Sequence, residues 1–279
     1  MPHPALPAPA LHPARNGWPL LLSIAHAGRD YPHWLAASAH DGRAALEPLE
    51  DPLVDRLAWR ALAAGFGAVV ALAPRAAIDC NRAEDDLDPA LIDGAPPAPA
   101  EGRARLGLGL IPSRTARHGP LWRRRLSRAD VEARLDQAHR PFHAAIAAAL
   151  AGLRAAHGSA LLLDLHSMPH RPGQAQIVVG DRHGSSADPW VAALVMRIAE
   201  ARGFTVAHNA PYAGGHIVAR HGRPAANVHA LQIEIDRSAY CQRDARTPGP
   251  GFERIATLIA ALAEGLGEAV AGVEAMAAE

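Results

Sequence analysis

Short apolar runs recur along this chain, and segments with helical periodicity lie between them. The runs cover residues 19–25, 67–73, 160–163, 176–180, 204–207 and 228–235. Continuous apolar runs of this length are typical of strands that are buried on both faces of a sheet. The last run alternates with polar residues toward its end. The sequence therefore predicts six strands that lie mainly in the interior.

Helical periodicity predicts four helices, which begin at Asp51 or cover 128–156, 190–202 and 252–271. Asp51 has a residue type preferred at an N-cap, and Pro52 is preferred at the first helical position. Residues 84–112 are rich in Pro, Gly and Asp and are predicted to form a long loop. Because strands alternate with helices, we expect an α/β fold. It is a single domain whose central, mostly parallel or mixed sheet is flanked by helices on both faces.

The N-terminal residues 1–17 are rich in Pro and Ala and lack the cationic start and apolar stretch of a secretion signal. We expect a disordered tail there, followed by one folded domain at 18–279. No apolar run reaches the ~18 residues that a membrane-spanning helix requires, so we expect no membrane partner.

Charge and cysteine content narrow the class of protein. The 279 residues include 28 basic and 28 acidic side chains, and this balance gives no indication of a nucleic-acid partner. Every basic side chain is arginine, which excludes Schiff-base lysine chemistry and a P-loop. The two cysteines, Cys80 and Cys241, form neither a metal-finger spacing nor a disulfide framework. Free thiols of this kind suit a reducing compartment, so we expect a cytoplasmic protein.

Polar side chains stand at the ends of the predicted strands, where α/β proteins keep their sites. His26 ends the first strand, and Asp164 and His166 end the strand at 160–163. Neutral histidine is the commonest metal ligand near pH 7, and a carboxylate can orient it from behind. A hydrogen-bonded structural histidine is the alternative for His166.

Asp51 would add a carboxylate to these two histidines. Two His ligands and one carboxylate are typical of catalytic zinc, which keeps a fourth position open for water. The alternative is that Asp51 only caps its helix. Asp55 lies one helical turn further along, on the same face.

Two further elements complete the candidate chemistry. Asn81 and Arg82 together offer the planar fork and amide donors that recognise a carboxylate, with a surface salt bridge as the alternative. Glu234 lies between Ile233 and Ile235 on a predicted buried strand, so it is a candidate general base, or else a solvated residue of an edge strand.

The remaining histidines are less informative. His216, which follows two glycines, is a candidate for a mobile wall of the site. His139 and His143 lie one turn apart on the helix at 128–156, and we interpret them as structural because no third ligand is near them in the sequence. The chain lacks the G-x-S-x-G, H-E-x-x-H and strand-associated G-x-G-x-x-G motifs.

Taken in order, these clusters resemble the N-formylglutamate amidohydrolase family over about residues 20–243. The motifs are His26-Ala-Gly28, Asp51 with Asp55, Asp79-Cys-Asn81-Arg82, Asp164-Leu-His166-Ser167-Met168, Tyr212-Ala-Gly214-Gly215 and Gln232-Ile-Glu234-Ile-Asp-Arg237 with Tyr240. That family is similar to zinc carboxypeptidases and acyl-amino-acid deacylases, which implies a zinc-carboxypeptidase-like α/β fold and a catalytic domain at 18–279.

The resemblance implies one Zn²⁺ per chain at His26 and His166, carboxylate binding by Asn81 and Arg82, and general-base catalysis by Glu234. Arg75, Ser167 and His216 are added as candidate substrate-binding residues. In the carboxypeptidase relatives an acidic ligand follows the first histidine by three residues, but position 29 here is Arg. Asp51 is therefore our candidate for the third ligand, with Glu50 and Asp55 as alternatives.

The implied reaction is hydrolysis of N-formyl-L-glutamate, a small anionic N-acyl amino acid, to formate and L-glutamate in histidine degradation. A zinc amidohydrolase for other N-acyl amino acids or short peptides is the first alternative. A non-catalytic metabolite-binding relative is the second. The sequence leaves open the oligomeric state and the roles of Arg75, Arg114, His216 and Tyr240.

Overall fold

Nine strands occur in the part of the chain that the structure describes, and seven of them form one mixed sheet. The structure is a computed structural model that describes residues 5–277. The strands are β1 (Ala10–His12), β2 (Leu20–Ile24), β3 (Gly67–Val70), β4 (Arg114–Thr115), β5 (Gly119–Pro120), β6 (Ala160–Met168), β7 (Ile177–Gly180), β8 (Val206–His208) and β9 (Val228–Asp236).

The helices are short in the first half of the chain and long in the second. They are α1 (His33–Ser38), α2 (Arg43–Leu46), α3 (Val54–Leu57), α4 (Trp59–Ala63), α5 (Arg128–Arg134), α6 (Arg140–His157), α7 (Pro189–Ala201), α8 (His216–His221) and α9 (Phe252–Ala277). A π-helical turn, Leu135–His139, joins α5 to α6. Within residues 5–277, no helix is both long enough and apolar enough to cross a membrane.

The chain divides into two compact units. The first, which we call the loop unit, contains Ala25–Glu50 and Ala71–Ala144 together with residues 5–10. The second, the sheet unit, contains Leu11–Ile24, Asp51–Val70 and the chain from Ala145 onward. The assignment of residues 18–279 to one catalytic domain stays a prediction.

The sheet confirms the predicted fold class. Its strand order is β1-β3-β2-β6-β9-β7-β8, and the four adjacent strands β3, β2, β6 and β9 run parallel to one another. Strand β7 runs antiparallel to β9 and parallel to β8, so the sheet is mixed. All residues of β2, β3, β6 and β7 are buried, as expected for continuous apolar strands.

The loop unit has its own apolar core and little regular structure. Its buried side chains include Leu35, Leu46, Ile78, Ile92, Leu110 and Leu121. The predicted long loop, 84–112, contains one 3-10 turn, Arg103–Leu106. Backbone hydrogen bonds tie this loop down, since Asp79 N donates to Leu110 O and Leu110 N donates to Asp86 O. The segment is therefore long but held at both flanks.

Three local expectations differ from the structure. Asp51 is not an N-cap, because the helix begins at Val54 and the side chain of Asp51 is used elsewhere. The predicted disordered tail contains β1, which lies beside β3, and Arg15 N donates to Gly65 O at 2.7 Å. The tail prediction is therefore wrong for Ala10–His12, while residues 1–4 lie outside the described residues. The turn-rich sequence Tyr212-Ala-Gly214-Gly215-His216 predicts a loop, but helix α8 begins at its last residue.

Candidate active site

Strands β6 and β9 bring His166 and Glu234 together. The two residues are register partners, as are Asp164 and Gln232 two positions earlier. Adjacent strands lie ~4.8 Å apart, and alternate residues of a strand face the same side. Asp164 and His166 therefore share one face of the sheet with Gln232 and Glu234. All four side chains are buried.

His166 is held between two carboxylates. Its Nε2 lies 2.8 Å from Asp164 Oδ2, and its Nδ1 lies 3.0 Å from Asp51 Oδ2. Ser23 Oγ, on β2, donates to Asp164 Oδ1 at 2.7 Å and fixes that carboxylate in turn. Burial by itself lowers the pKa of His166, but Asp164 and Asp51 raise it well above its ordinary value. This anionic pocket favours a cation at the imidazole.

Further contacts fix the carboxylate of Asp51 from its other side. Ser167 Oγ and Arg237 Nη2 both donate to Asp51 Oδ1 at 3.2 Å, and Arg237 Nε donates to Ser167 Oγ at 3.0 Å. Leu53, two residues later, is left-handed at φ 64°, an unfavourable conformation for an apolar side chain. Leu53 occupies the N-cap position of α3, so Asp51 lies before the helix and its carboxylate contacts His166 instead.

Tyr240 forms a hydrogen bond with the backbone of the segment that contains Asp51. Its hydroxyl donates to Pro52 O at 2.7 Å, and the side chain is fully buried. Burial raises the pKa of Tyr240, so the hydroxyl stays protonated and keeps its donor. Tyr240 is therefore a support of the Asp51 segment, a role that the sequence left open.

Glu234 is linked through a glutamine to the loop that precedes α8. Gln232 Nε2 donates to Glu234 Oε1 at 2.7 Å, and Gln232 Oε1 accepts from Gly215 N at 2.8 Å. Glu234 is only 8% exposed, which excludes the solvated edge strand that was its alternative. His216 is the first residue of α8, directly after Gly215. One amide side chain thus connects the candidate base with the turn that carries His216.

In the loop unit, Asp79 is the centre of the second cluster. Its Oδ1 lies 2.7 Å from His26 Nε2 and accepts from Asn81 N at 2.8 Å, and its Oδ2 accepts from Arg75 Nε at 2.8 Å. Burial by itself raises the pKa of Asp79, but its interactions with Arg75, and after it with His26 and Arg82, hold that pKa well below its ordinary value. Asp79 is therefore a permanent anion behind His26.

Arg82 is held by backbone oxygens. Its Nε donates to Leu108 O at 2.8 Å and its Nη1 to Asn81 O at 2.7 Å, while Asp79 Oδ2 lies 4.0 Å away. Burial lowers the pKa of Arg82, which Asp79 partly offsets, and an arginine remains charged at neutral pH. The long loop therefore fixes the orientation of this guanidinium through Leu108.

The donor atoms fit a metal ion. His26, Asp51 and His166 are all buried, and each offers one atom able to bind a metal. In both histidines Nε2 faces a buried carboxylate, Asp79 or Asp164, which is the usual arrangement behind a metal-bound imidazole. Within the sheet unit, Asp51 and His166 therefore suit a His/carboxylate metal site, and in the loop unit His26 is oriented in the way that a metal ligand requires.

The other predicted residues have different surroundings. Glu50, an alternative ligand, accepts a hydrogen bond from Tyr31 at 2.6 Å. Asp55 lies in the first turn of α3. Arg114 lies on β4, where its guanidinium is 3.7 Å from Asp88. Arg75 anchors Asp79 and also donates to Leu49 O at 3.3 Å, so it reinforces the cluster that contains His26.

Several supporting residues were given no role from the sequence. Ser23 is the one polar residue of β2, and an isolated serine in an apolar strand is a usable indication of a buried hydrogen bond. Asp79, Gln232 and Arg237 stood inside the motifs, but only the fold shows what they contact. Their partners are distant in sequence, as in the pair Arg237 and Asp51.

Known proteins resemble this chain over most of its length. A family model described as N-formylglutamate amidohydrolase matches residues 18–241. The chain is 33% identical to an N-formylglutamate deformylase from Pseudomonas putida, over 80% of this chain and 82% of that protein. It is 32% identical to an N-formylglutamate deformylase from Pseudomonas aeruginosa, over 83% of this chain and 85% of that protein.

A solved structure shows the same similarity in three dimensions. The crystal structure of an N-formylglutamate amidohydrolase from Ralstonia eutropha has a TM-score of 0.85 to this chain at 35% sequence identity. The match covers 94% of this chain and 98% of that one. The similarity in fold therefore extends over nearly the whole of both proteins.

Proposed function

The chain belongs to the N-formylglutamate amidohydrolase family, and on this premise we propose that it hydrolyses N-formyl-L-glutamate to formate and L-glutamate. The matched region, 18–241, contains every residue of the two clusters described above. The observation that carries the proposal is the register of β6 and β9, which sets the buried carboxylate of Glu234 beside His166. A buried acid next to a candidate metal ligand is the arrangement that hydrolytic chemistry requires.

We propose that His26, Asp51 and His166 hold one Zn²⁺ per chain. In support, His166 is clamped between Asp51 and Asp164, and His26 has Asp79 behind it. Zinc bound in this way lowers the pKa of a water molecule and polarises the carbonyl of the amide. The contact between Asp51 and His166 is the reason to prefer Asp51 as the carboxylate ligand.

Glu234 acts as the general base in this proposal. It accepts a proton from the attacking water and returns it to the nitrogen of the leaving glutamate. The nitrogen then leaves as a neutral amine, and no negative charge develops on it. The hydrogen bond from Gln232 holds one carboxylate oxygen of Glu234 in place. Burial of Glu234 keeps that proton from exchanging with bulk water during turnover.

Asn81 and Arg82 bind a carboxylate of the substrate. The guanidinium of Arg82 is held by two carbonyl oxygens, so its orientation is set before the substrate arrives. Arg75, Ser167 and His216 complete the substrate-binding set. We assign the enzyme to the cytoplasm and to histidine degradation, with the buried free thiols of Cys80 and Cys241 suited to a reducing compartment.

The test is formate release from N-formyl-L-glutamate by the zinc-loaded protein, run beside deacylation of N-acetyl- and N-succinyl-L-glutamate. Turnover of the formyl substrate well above the other two supports the reaction and the acyl preference together. Preference for another acyl group moves the function to a related amidohydrolase. Zinc binding without turnover of any of the three contradicts the proposal.

A further inference from the structure

Two histidines of the loop unit contact the backbone of the segment that carries Asn81 and Arg82. His139 Nε2 lies 2.8 Å from Arg82 O, and His143 Nε2 lies 2.9 Å from Cys80 O. Both rings are buried, and their centroids are 4.4 Å apart. Two neighbouring imidazoles thus reach two carbonyl groups that are two residues apart in the chain.

The helix geometry explains how both rings reach the same segment. His139 ends the π-helical turn Leu135–His139, and His143 lies in the first turn of α6. Side chains four residues apart lie on one helical face, where their rings are neighbours. A π-helical turn changes the position of the following residues on the helix face and is often found at functional sites.

These contacts fix both the tautomer and the peptide groups. A carbonyl oxygen only accepts, so Nε2 carries the hydrogen in both rings. The carbonyl between them, Asn81 O, accepts from Arg82 Nη1 at 2.7 Å. Arg82 N donates to Asp79 O at 3.1 Å. The three consecutive carbonyls from Cys80 to Arg82 therefore each accept a hydrogen bond from a buried or half-buried side chain.

We propose that His139 and His143 are positioning residues for recognition of the substrate carboxylate. They touch no substrate, but they hold the peptide group before Asn81 and the one after Arg82, and so set the directions of the Asn81 and Arg82 side chains. This inference rests on the proposed function, because it assigns a task to the carboxylate-binding pair. It deepens that function by identifying which residues set selectivity for an anionic substrate.

The test compares charged and uncharged substrates in matched variants. His139→Gln and His143→Gln keep a donor of similar reach, while His139→Leu and His143→Leu remove it. His143→Asn keeps polarity but is too short, which covers the case in which a leucine variant does not fold. The matched control is His229→Leu. His229 is a buried histidine of the sheet unit, and its Nδ1 accepts a hydrogen bond from Asp188 N.

Kinetics are measured on N-formyl-L-glutamate and on the two analogues in which one carboxylate is replaced by an amide. We expect each leucine variant to raise KM for N-formyl-L-glutamate about tenfold, the effect of ~1.4 kcal/mol, with kcat within about twofold of wild type. The ratio of kcat/KM for N-formyl-L-glutamate to kcat/KM for the less favoured amide analogue falls by the same factor in each leucine variant. The glutamine variants restore both values, and His229→Leu keeps wild-type discrimination.

Equal losses on charged and amide substrates in the leucine and asparagine variants overturn the proposal, because they indicate a purely structural role. Binding of L-glutamate, measured by calorimetry, separates this result from failure of the proposed function. Wild type that binds L-glutamate without hydrolysing the formyl substrate contradicts only the reaction, and weaker binding by the variants still supports positioning. Wild type that neither binds nor hydrolyses overturns both.

Discussion

His166 and Glu234 face each other across the parallel strands β6 and β9 at the same register position. The distance between neighbouring strands is fixed by backbone hydrogen bonds, so this pair is among the least adjustable in the molecule. A candidate metal ligand and a candidate base are thereby placed on the rigid part of the sheet unit. Residues on rigid elements keep their geometry more accurately than residues on loops.

Glu234→Gln is expected to lower kcat by about 10²–10⁴-fold, because the amide keeps the size of the side chain but accepts no proton. Zinc content and melting temperature should stay at wild-type values. Formate release, metal analysis and thermal melting measure the three quantities. Near-normal turnover by this variant removes Glu234 from the role of base.

Asp164→Asn is expected to weaken zinc binding about 10–100-fold, because the asparagine no longer places a full negative charge behind His166. Ser23→Ala, which removes only the hydrogen bond to Asp164, should have a smaller effect in the same direction. Competition with a chromogenic chelator gives the affinities. Equal zinc affinity in wild type and Asp164→Asn would show that the Asp164 carboxylate does not strengthen zinc binding by His166.

Removal of zinc by a chelator is expected to abolish formate release and to lower the melting temperature. One equivalent of zinc per chain should restore both. Binding to the folded state alone stabilises a protein by about 2.7 kcal/mol when the free ligand is at a hundred times its Kd. Full activity in metal-free protein, verified by elemental analysis, contradicts the assignment of a metal site.

Tyr240→Phe is expected to lower the free energy of unfolding by about 1–3 kcal/mol, because Pro52 O becomes a buried acceptor with no donor. Tyr212→Phe is the control, since Tyr212 is half-buried and water can replace a hydroxyl in such a position. Denaturant unfolding measures both variants. A loss no greater for Tyr240→Phe than for the control argues against a supporting role.

His221 should make stability depend on pH. Its pKa is lowered to about 4, chiefly by burial, with Arg220, His216 and Arg223 adding to the shift and Asp164 opposing it. In the unfolded chain the side chain of His221 has a pKa of about 6.5, so it binds a proton more readily there than in the folded protein. Stability is therefore fully present above about pH 6.5 and is lost as pH falls toward 4, by up to about 3 kcal/mol.

His221→Gln removes this titration and provides the comparison. The difference in unfolding free energy between wild type and the variant should change across pH 6.5 to 4 and stay constant above that range. Denaturant unfolding at a series of pH values gives the two curves. Parallel curves over the whole range would exclude His221 as the source of the dependence.

Local patterns in the sequence determined most of the strands and the fold class. Apolar runs alone predicted β2, β3, β6, β7 and β9 within a few residues, because a strand buried on both faces has to be apolar at successive positions. The same runs located His26, His166 and Glu234, since each lies at or near the end of such a strand. The order of the motifs identified the family.

The tertiary structure decided what the polar side chains contact. By sequence, Asp51 could also be an N-cap, and its contact with His166 depends on a residue more than a hundred positions away. His139 and His143 had the spacing of a ligand pair, but in the structure their Nε2 atoms bond to the carbonyls of Arg82 and Cys80. Periodicity is a local property of the chain, whereas these hydrogen bonds form only after distant segments have packed together.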